Sequence, residues 1–192
     1  MFGPSLHQRI ERLEADLYPQ VRINDYHDRP FAVFLYHPQQ EFDLRVEIHL
    51  LRTRLENKGK PVRIVCLTGL MWECIELALG SDGMEAFFEA ERSVGVEAAI
   101  QTVHQILTQE RPLDKLVAER LSALDPNHHI AFLTGAQALF PVYRTSSLLD
   151  RLFHAGVKVP TILFYPGELE GVTGLKFMGV LEPEHNYRAR IY

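Results

Sequence analysis

Residues 30–80 read PFAVFLYHPQQEFDLRVEIHLLRTRLENKGKPVRIVCLTGLMWECIELALG, and this stretch decides the fold. Its first apolar run, Phe31 to Tyr36, is bounded by Pro30 and Pro38 and shows no polar alternation, the pattern of a strand covered on both faces. From Glu41 to Asn57 the apolar residues fall in two helical rows, Phe42/Val46/Leu50 and Leu44/Ile48/Leu51/Leu55, which together predict a helix with one broad apolar face. Gly59 and Pro61 stop it. Val62 to Leu67 repeats the buried-strand pattern, and residues 69–80 begin another helix that Gly80 ends. Strand, helix, strand, helix is the order of a parallel sheet with crossover helices.

Working outward, Ile130–Leu133 and Thr161–Tyr165 give two more buried strands, the last followed by a turn at Pro166-Gly167. Between Ser81 and Asp125 no strand pattern occurs. Met84/Phe87/Phe88, Val96/Ile100/Val103/Leu107 and Leu113/Leu116/Val117/Leu121/Leu124 are helical stripes instead, with Pro112 opening the third. This insertion exceeds what one crossover needs, so part of it is expected to cap the sheet. Ser146 or Ser147 is expected to cap a helix that ends at Gly156, and Ser5 to precede a short amphipathic helix with Leu6, Ile10, Leu13 and Leu17, packed on the rim. The tail GLKFMGVLEPEHNYRARIY predicts two strands around Pro183, a C-terminal β-hairpin. The expected fold is therefore a single α/β domain over residues 1–192. It has a mainly parallel central sheet of about four strands flanked by helices, a helical insertion at 81–125 and a C-terminal β-hairpin.

The composition agrees with one core. The chain has 192 residues, 46% of them hydrophobic and 23% charged, and a chain of this size buries about 70% of its open-chain surface on folding. Lys+Arg 20 against Asp+Glu 25 gives a formal charge of -5, so no overall positive field draws the molecule to phosphate backbones, and direct nucleic-acid binding is disfavoured. Cys66 and Cys74 fit neither a CxxC motif nor a disulfide framework and read as two buried thiols in a reducing compartment. Charges interrupt the N-terminal segment where a signal peptide is apolar, and no run approaches the roughly 20 apolar residues of a membrane span. The expected location is the cytoplasm.

Chemistry has few footholds. The second and third strands both end in Leu-Thr-Gly, at residues 67–69 and 133–135. Strand ends of this kind face the ligand crevice of an open sheet and can offer backbone N–H groups to an anion. Neither copy carries the phosphate-binding lysine of GxxxxGK[ST], and GxGxxG does not occur, so both glycines read as strand-to-helix turns. Glu168 and Glu170 with Lys176 resemble part of a metal-dependent nuclease site, but the strand before them offers no acidic residue, and a solvated acidic turn accounts for them. His128 and His129 are adjacent and would point to opposite faces of a strand; no HExxH or Cys/His spacing supports a metal. Ser146 and Ser147 lack the GxSxG elbow. No catalytic, cofactor or metal residue is assigned, and neither ATP hydrolysis nor DNA cleavage is expected.

Several segments nevertheless form a recognisable text: Leu133-Thr134-Gly135, Phe140-Pro141, Ser147-Leu148-Leu149, Phe164-Tyr165-Pro166-Gly167 and Tyr187-Arg188-Ala189, with FAVFLYHPQQEFDLR near the N-terminus. This pattern resembles the BrxB family of small proteins from bacterial BREX phage-exclusion systems, and residues 81–125 correspond to it least. The resemblance implies a noncatalytic adaptor in a multi-protein antiviral assembly that accompanies methylation of host DNA. Its implied partner is PglZ, a protein of the alkaline-phosphatase superfamily, with other BREX components. The competing reading is a degenerate nucleotide- or nucleic-acid-binding domain that uses the strand ends. For docking, the tail places Arg188, Arg190 and Tyr192 on one face of the last strand, and Arg and Tyr are residue types that interfaces favour.

Overall fold

The computed structural model describes residues 4–21, 23, 29–171, 174–180 and 189–192. Ser5 Oγ accepts from the Gln8 N–H and the Gln8 side chain accepts from the Ser5 N–H, a capping box that starts helix α1, Leu6–Leu17. Strand β1, Phe31–Tyr36, leads through a 3-10 turn into α2, Glu41–Asn57, and then β2, Val62–Cys66. Helix α3, Leu67–Val94, is followed by α4, Val96–Gln105, a π-helical turn, and α5, Leu113–Ser122. Strand β3, Ile130–Thr134, passes through a 3-10 turn to α6, Thr145–His154; β4, Thr161–Glu170, β5, Gly174–Phe177, and β6, Arg190–Ile191, complete the order.

The sheet runs β2-β3-β4-β1-β6, parallel throughout, with β5 antiparallel to β4. All four expected core strands are present, with ends within one residue of the expectation except at β4. Alternate side chains of each strand enter separate cores. Ala32, Phe34, Phe132 and Phe164 meet α1 and α2 on one face. Val33, Leu133, Leu163 and Tyr165 meet α3 to α6 on the other. The Phe164 ring lies tilted at 5.6 Å from Phe34 and edge-to-face at 5.4 Å from Phe132, joining three strands through aromatic contacts.

Several details differ from the expectation. Helix α1 lies along the β6 edge of the sheet, where Asp16 and Arg9 bond the last residues, but it is seated more deeply than a rim helix needs, with Ile10, Leu13 and Leu17 wholly buried. Pro166-Gly167 is not a turn; β4 continues through it to Glu170 and pairs Glu168 with Lys176. A Cβ at Gly167 would stand 2.3 Å from the Lys176 carbonyl oxygen, so the glycine permits close strand approach. The hairpin therefore forms between β4 and β5, and β6 crosses to join β1, one strand off the expected tail pairing. Helix α6 starts at Thr145, ahead of Ser146 and Ser147, and its N-cap position, Arg144, makes no side-chain cap. As expected, Gly80 ends a helix: its backbone is non-helical (φ 68°, ψ 178°) and separates the two helical segments that run together as α3.

Candidate functional site

Three places merit description as sites: the crevice at the strand ends, the β6 edge and the outer side of α2. The crevice occupies about 340 Å³ where α2 leaves β1 on one face of the sheet while α3 and the turn after β3 leave on the other. This is the switch point at which open parallel sheets bind ligands. Glu41, the first residue of α2, accepts from the Tyr36 hydroxyl, from Arg45 Nε at 2.8 Å and from Gln137 Nε2 at 3.1 Å. Burial, reinforced by the Glu41 charge, pushes the Tyr36 phenol up, so it remains a neutral donor. With three donors on it, the carboxylate ties β1, α2 and the turn after β3 together and is poorly placed to act as a base.

The two Leu-Thr-Gly tripeptides, 66 residues apart in the chain, meet in the same crevice. Thr68 Oγ1 donates to the Gly135 carbonyl at 3.1 Å. Gly135 has φ 75°, and a Cβ there would lie 2.5 Å from Thr68 Oγ1. One motif thus needs its glycine because the threonine of the other fills the space. Gly69, in contrast, has nothing within 4 Å of a Cβ position. Cys66, expected to be buried, is exposed at this crevice, whereas Cys74 is buried and its thiol is pushed up to about 11, chiefly by that burial. Among the described residues no group of three His, Cys, Asp or Glu side chains is set to hold a metal, and no helix is long and apolar enough to cross a membrane.

At the opposite sheet edge, Arg190 Nη2 pairs with Asp16 Oδ2 at 2.8 Å and the Tyr192 hydroxyl donates to the same oxygen at 3.0 Å. The Arg190 guanidinium lies 5.0 Å from the Tyr192 ring centroid. Arg9 on α1 donates to the Leu35 carbonyl and, at 2.8 Å, to the Tyr192 carbonyl, while its guanidinium sits 4.8 Å from the Phe34 ring; burial lowers its pKa. The two tail side chains are therefore held in one arrangement by α1. Arg188, expected on the same face, falls outside the described residues.

The surface that sequence reasoning missed is on α2. Leu44, Ile48, Leu51 and Leu55 are buried, but Phe42, Val46 and Leu50 are 77%, 60% and 49% exposed. At 100° per residue the centres of the two rows lie about 170° apart, so they are opposite sides of the helix and never made one broad face. That angle was the available signal. Arg45 lies 5.5 Å above the Phe42 ring and pairs with Glu41, leaving the apolar row facing outward.

Comparison with known proteins places these features in context. The family described as BREX protein BrxB matches residues 65–191. A protein named BREX protein BrxB from Bacillus cereus (strain H3081.97) is 28% identical over 160 residues, which are 83% of this chain and 81% of that protein. No solved structure matches.

Proposed function

The chain belongs to the BrxB family, which makes it a component of a BREX phage-defence system, and from that premise we propose that it is a noncatalytic cytoplasmic adaptor that docks a PglZ-like protein of the same system. The observation that carries this reading is α2, whose inner row completes the core while its outer row of Phe42, Val46 and Leu50 stands in water. Apolar ridges at i, i+4 and i+8 are the anchors that a helix presents to a groove. Three such side chains offer on the order of 300 Å², well short of the roughly 800 Å² per partner of a standard stable interface. A partner that wraps the ridge and adds contacts around it suits this surface better than a second copy of the same ridge.

The Arg190–Tyr192 edge is proposed as an added contact. Asp16 and Arg9 fix both residues before docking, which lowers the ordering cost of using them. The nucleotide-binding alternative has weaker support, because the threonine of one motif and the glycine of the other are engaged with each other.

The test is recovery of BREX components with a tagged chain from cells that carry the whole gene cluster. Wild type should recover the PglZ-like protein, and Val46→Asp should reduce that recovery by at least about tenfold without lowering the melting temperature by more than about 2 °C. Arg190→Glu should have a smaller effect in the same direction. Recovery of no component by the wild type, or undiminished recovery by Val46→Asp, refutes the reading.

A further inference from the structure

Past the bend at Gly80, the outer half of α3 and the start of α4 form a helical hairpin that turns at Gly95, where φ is 105°. None of residues 81–97 is buried. Met84, Phe87 and Ile100 pack inward against the core and hold the hairpin to the body. The tip does the opposite. Val94 and Val96, on either side of Gly95, are 71% and 62% exposed, and Phe88 is 39% exposed. Two valines at a solvated tip add nothing to the core, and the turn itself requires only the glycine between them.

The charge around this tip is one-sided. Residues 81–97 hold Asp82, Glu85, Glu89, Glu91 and Glu97 against Arg92 alone, a net of -4 in a chain whose total is -5. Such a field repels nucleic-acid phosphates and anionic lipid headgroups, and it attracts a protein surface rich in Lys and Arg. Apolar side chains at the tip with carboxylates on the flanks have the layout of an interface in which an apolar centre is ringed by charge.

We propose that the hairpin tip is a second docking element, seated in an apolar pocket rimmed by lysines and arginines on another protein component of the assembly. It deepens the adaptor reading and rests on it. Helix α2 covers one face of the sheet and the α3–α4 hairpin rises from the other, so the two surfaces can hold different partners at once. The chain is then a bridge rather than an appendage of one protein.

The experiment uses the full chain, tagged and produced with the whole gene cluster, with a photo-crosslinking residue placed at position 96 in one preparation. Two variants probe the two halves of the proposal: Glu89→Lys with Glu91→Lys and Glu97→Lys, and Val94→Ser with Val96→Ser. All five positions are exposed, so melting temperatures should stay within about 2 °C of wild type. Each variant should lose at least about tenfold of one and the same component, while the component lost with Val46→Asp is retained. The crosslink should map to a Lys- and Arg-rich segment of that component, and its recovery should fall as salt rises from about 0.1 M to about 0.5 M. Variants that retain every component recovered by wild type overturn the bridge and leave the adaptor reading standing. A crosslink to a second copy of this chain or to nucleic acid overturns it as well, and a wild-type chain that recovers nothing overturns both readings.

Discussion

Leu50 and Leu51 are neighbours on α2 with the same side chain, yet Leu51 is wholly buried and Leu50 is 49% exposed. A helix turns 100° per residue, so adjacent leucines face different surroundings, and α2 has an apolar lining on both of its sides. The inner side belongs to the fold: Leu44, Ile48, Leu51 and Leu55 close the core over Phe34 and Phe164. Among the described residues the outer side joins neither core. Apolar residues do occur singly on any protein surface, but these three form an aligned trio opposite the buried row, and it is this alignment on which the proposed docking rests.

Substitutions can break this comparison, and the deepest should have the largest effect. Leu51→Ala leaves a cavity under α2 and should cost about 2–5 kcal/mol, seen as a fall in melting temperature of roughly 5–15 °C for a chain of this length. A loss under about 1 kcal/mol would show that α2 is loosely seated and that its two sides are not distinct. The paired glycines come next. Gly135→Ala places a Cβ against Thr68 Oγ1 at positive φ and should cost about 2–3 kcal/mol by denaturant titration, whereas Gly69→Ala, in open space within α3, should be neutral or stabilising by up to about 1 kcal/mol. Equal effects at the two glycines would remove the interlock.

Smaller again is the link between α1 and α2. Glu14 accepts from Arg54 Nε at 2.6 Å and Lys58 Nζ at 2.7 Å. Burial opposes its charge, but the two cations prevail and hold its pKa below the usual 4.5. The unfolded chain therefore binds this proton at higher pH than the folded one, so the contribution is complete above about pH 4.5 and is lost as pH falls through the lowered native value. Glu14→Gln should cost about 1 kcal/mol at pH 7, with the difference from wild type vanishing in acid. A constant difference across that range would assign Glu14 a packing role only. Smallest is Leu50→Ser, which should change stability by less than about 0.5 kcal/mol and sharpens the contrast with Leu51→Ala if recovery of a BREX component falls at the same time.

The core strands were legible because a strand covered on both faces leaves an uninterrupted apolar run, as in FAVFLY and TILFY. What failed depended on contacts distant in the chain. Pro166-Gly167 has the dipeptide of a turn, yet its glycine serves the approach of Lys176. The Ser5 cap was readable locally, while the complete burial of Ile10, Leu13 and Leu17 was not, since it depends on how much of the sheet α2 leaves uncovered. The crevice motifs were noticed, but nothing in either tripeptide reveals that Thr68 and Gly135 touch. Val96 was counted into a stripe with Ile100, Val103 and Leu107, of which only the inner members are covered.

The sheet order has a further consequence for the chain as it is made. Among the described strands β1 comes first in the chain, yet its neighbours, β4 and β6, are among the last, with Phe31 opposite Thr161 about 130 residues later. At roughly 5–20 residues per second, a ribosome needs on the order of 10 s to deliver that neighbour. During this interval the FAVFLY segment waits with both edges unpaired, beside an α2 that has apolar residues on two sides. An early-arriving partner or chaperone that covers α2 would shield the nascent chain before its own sheet can close.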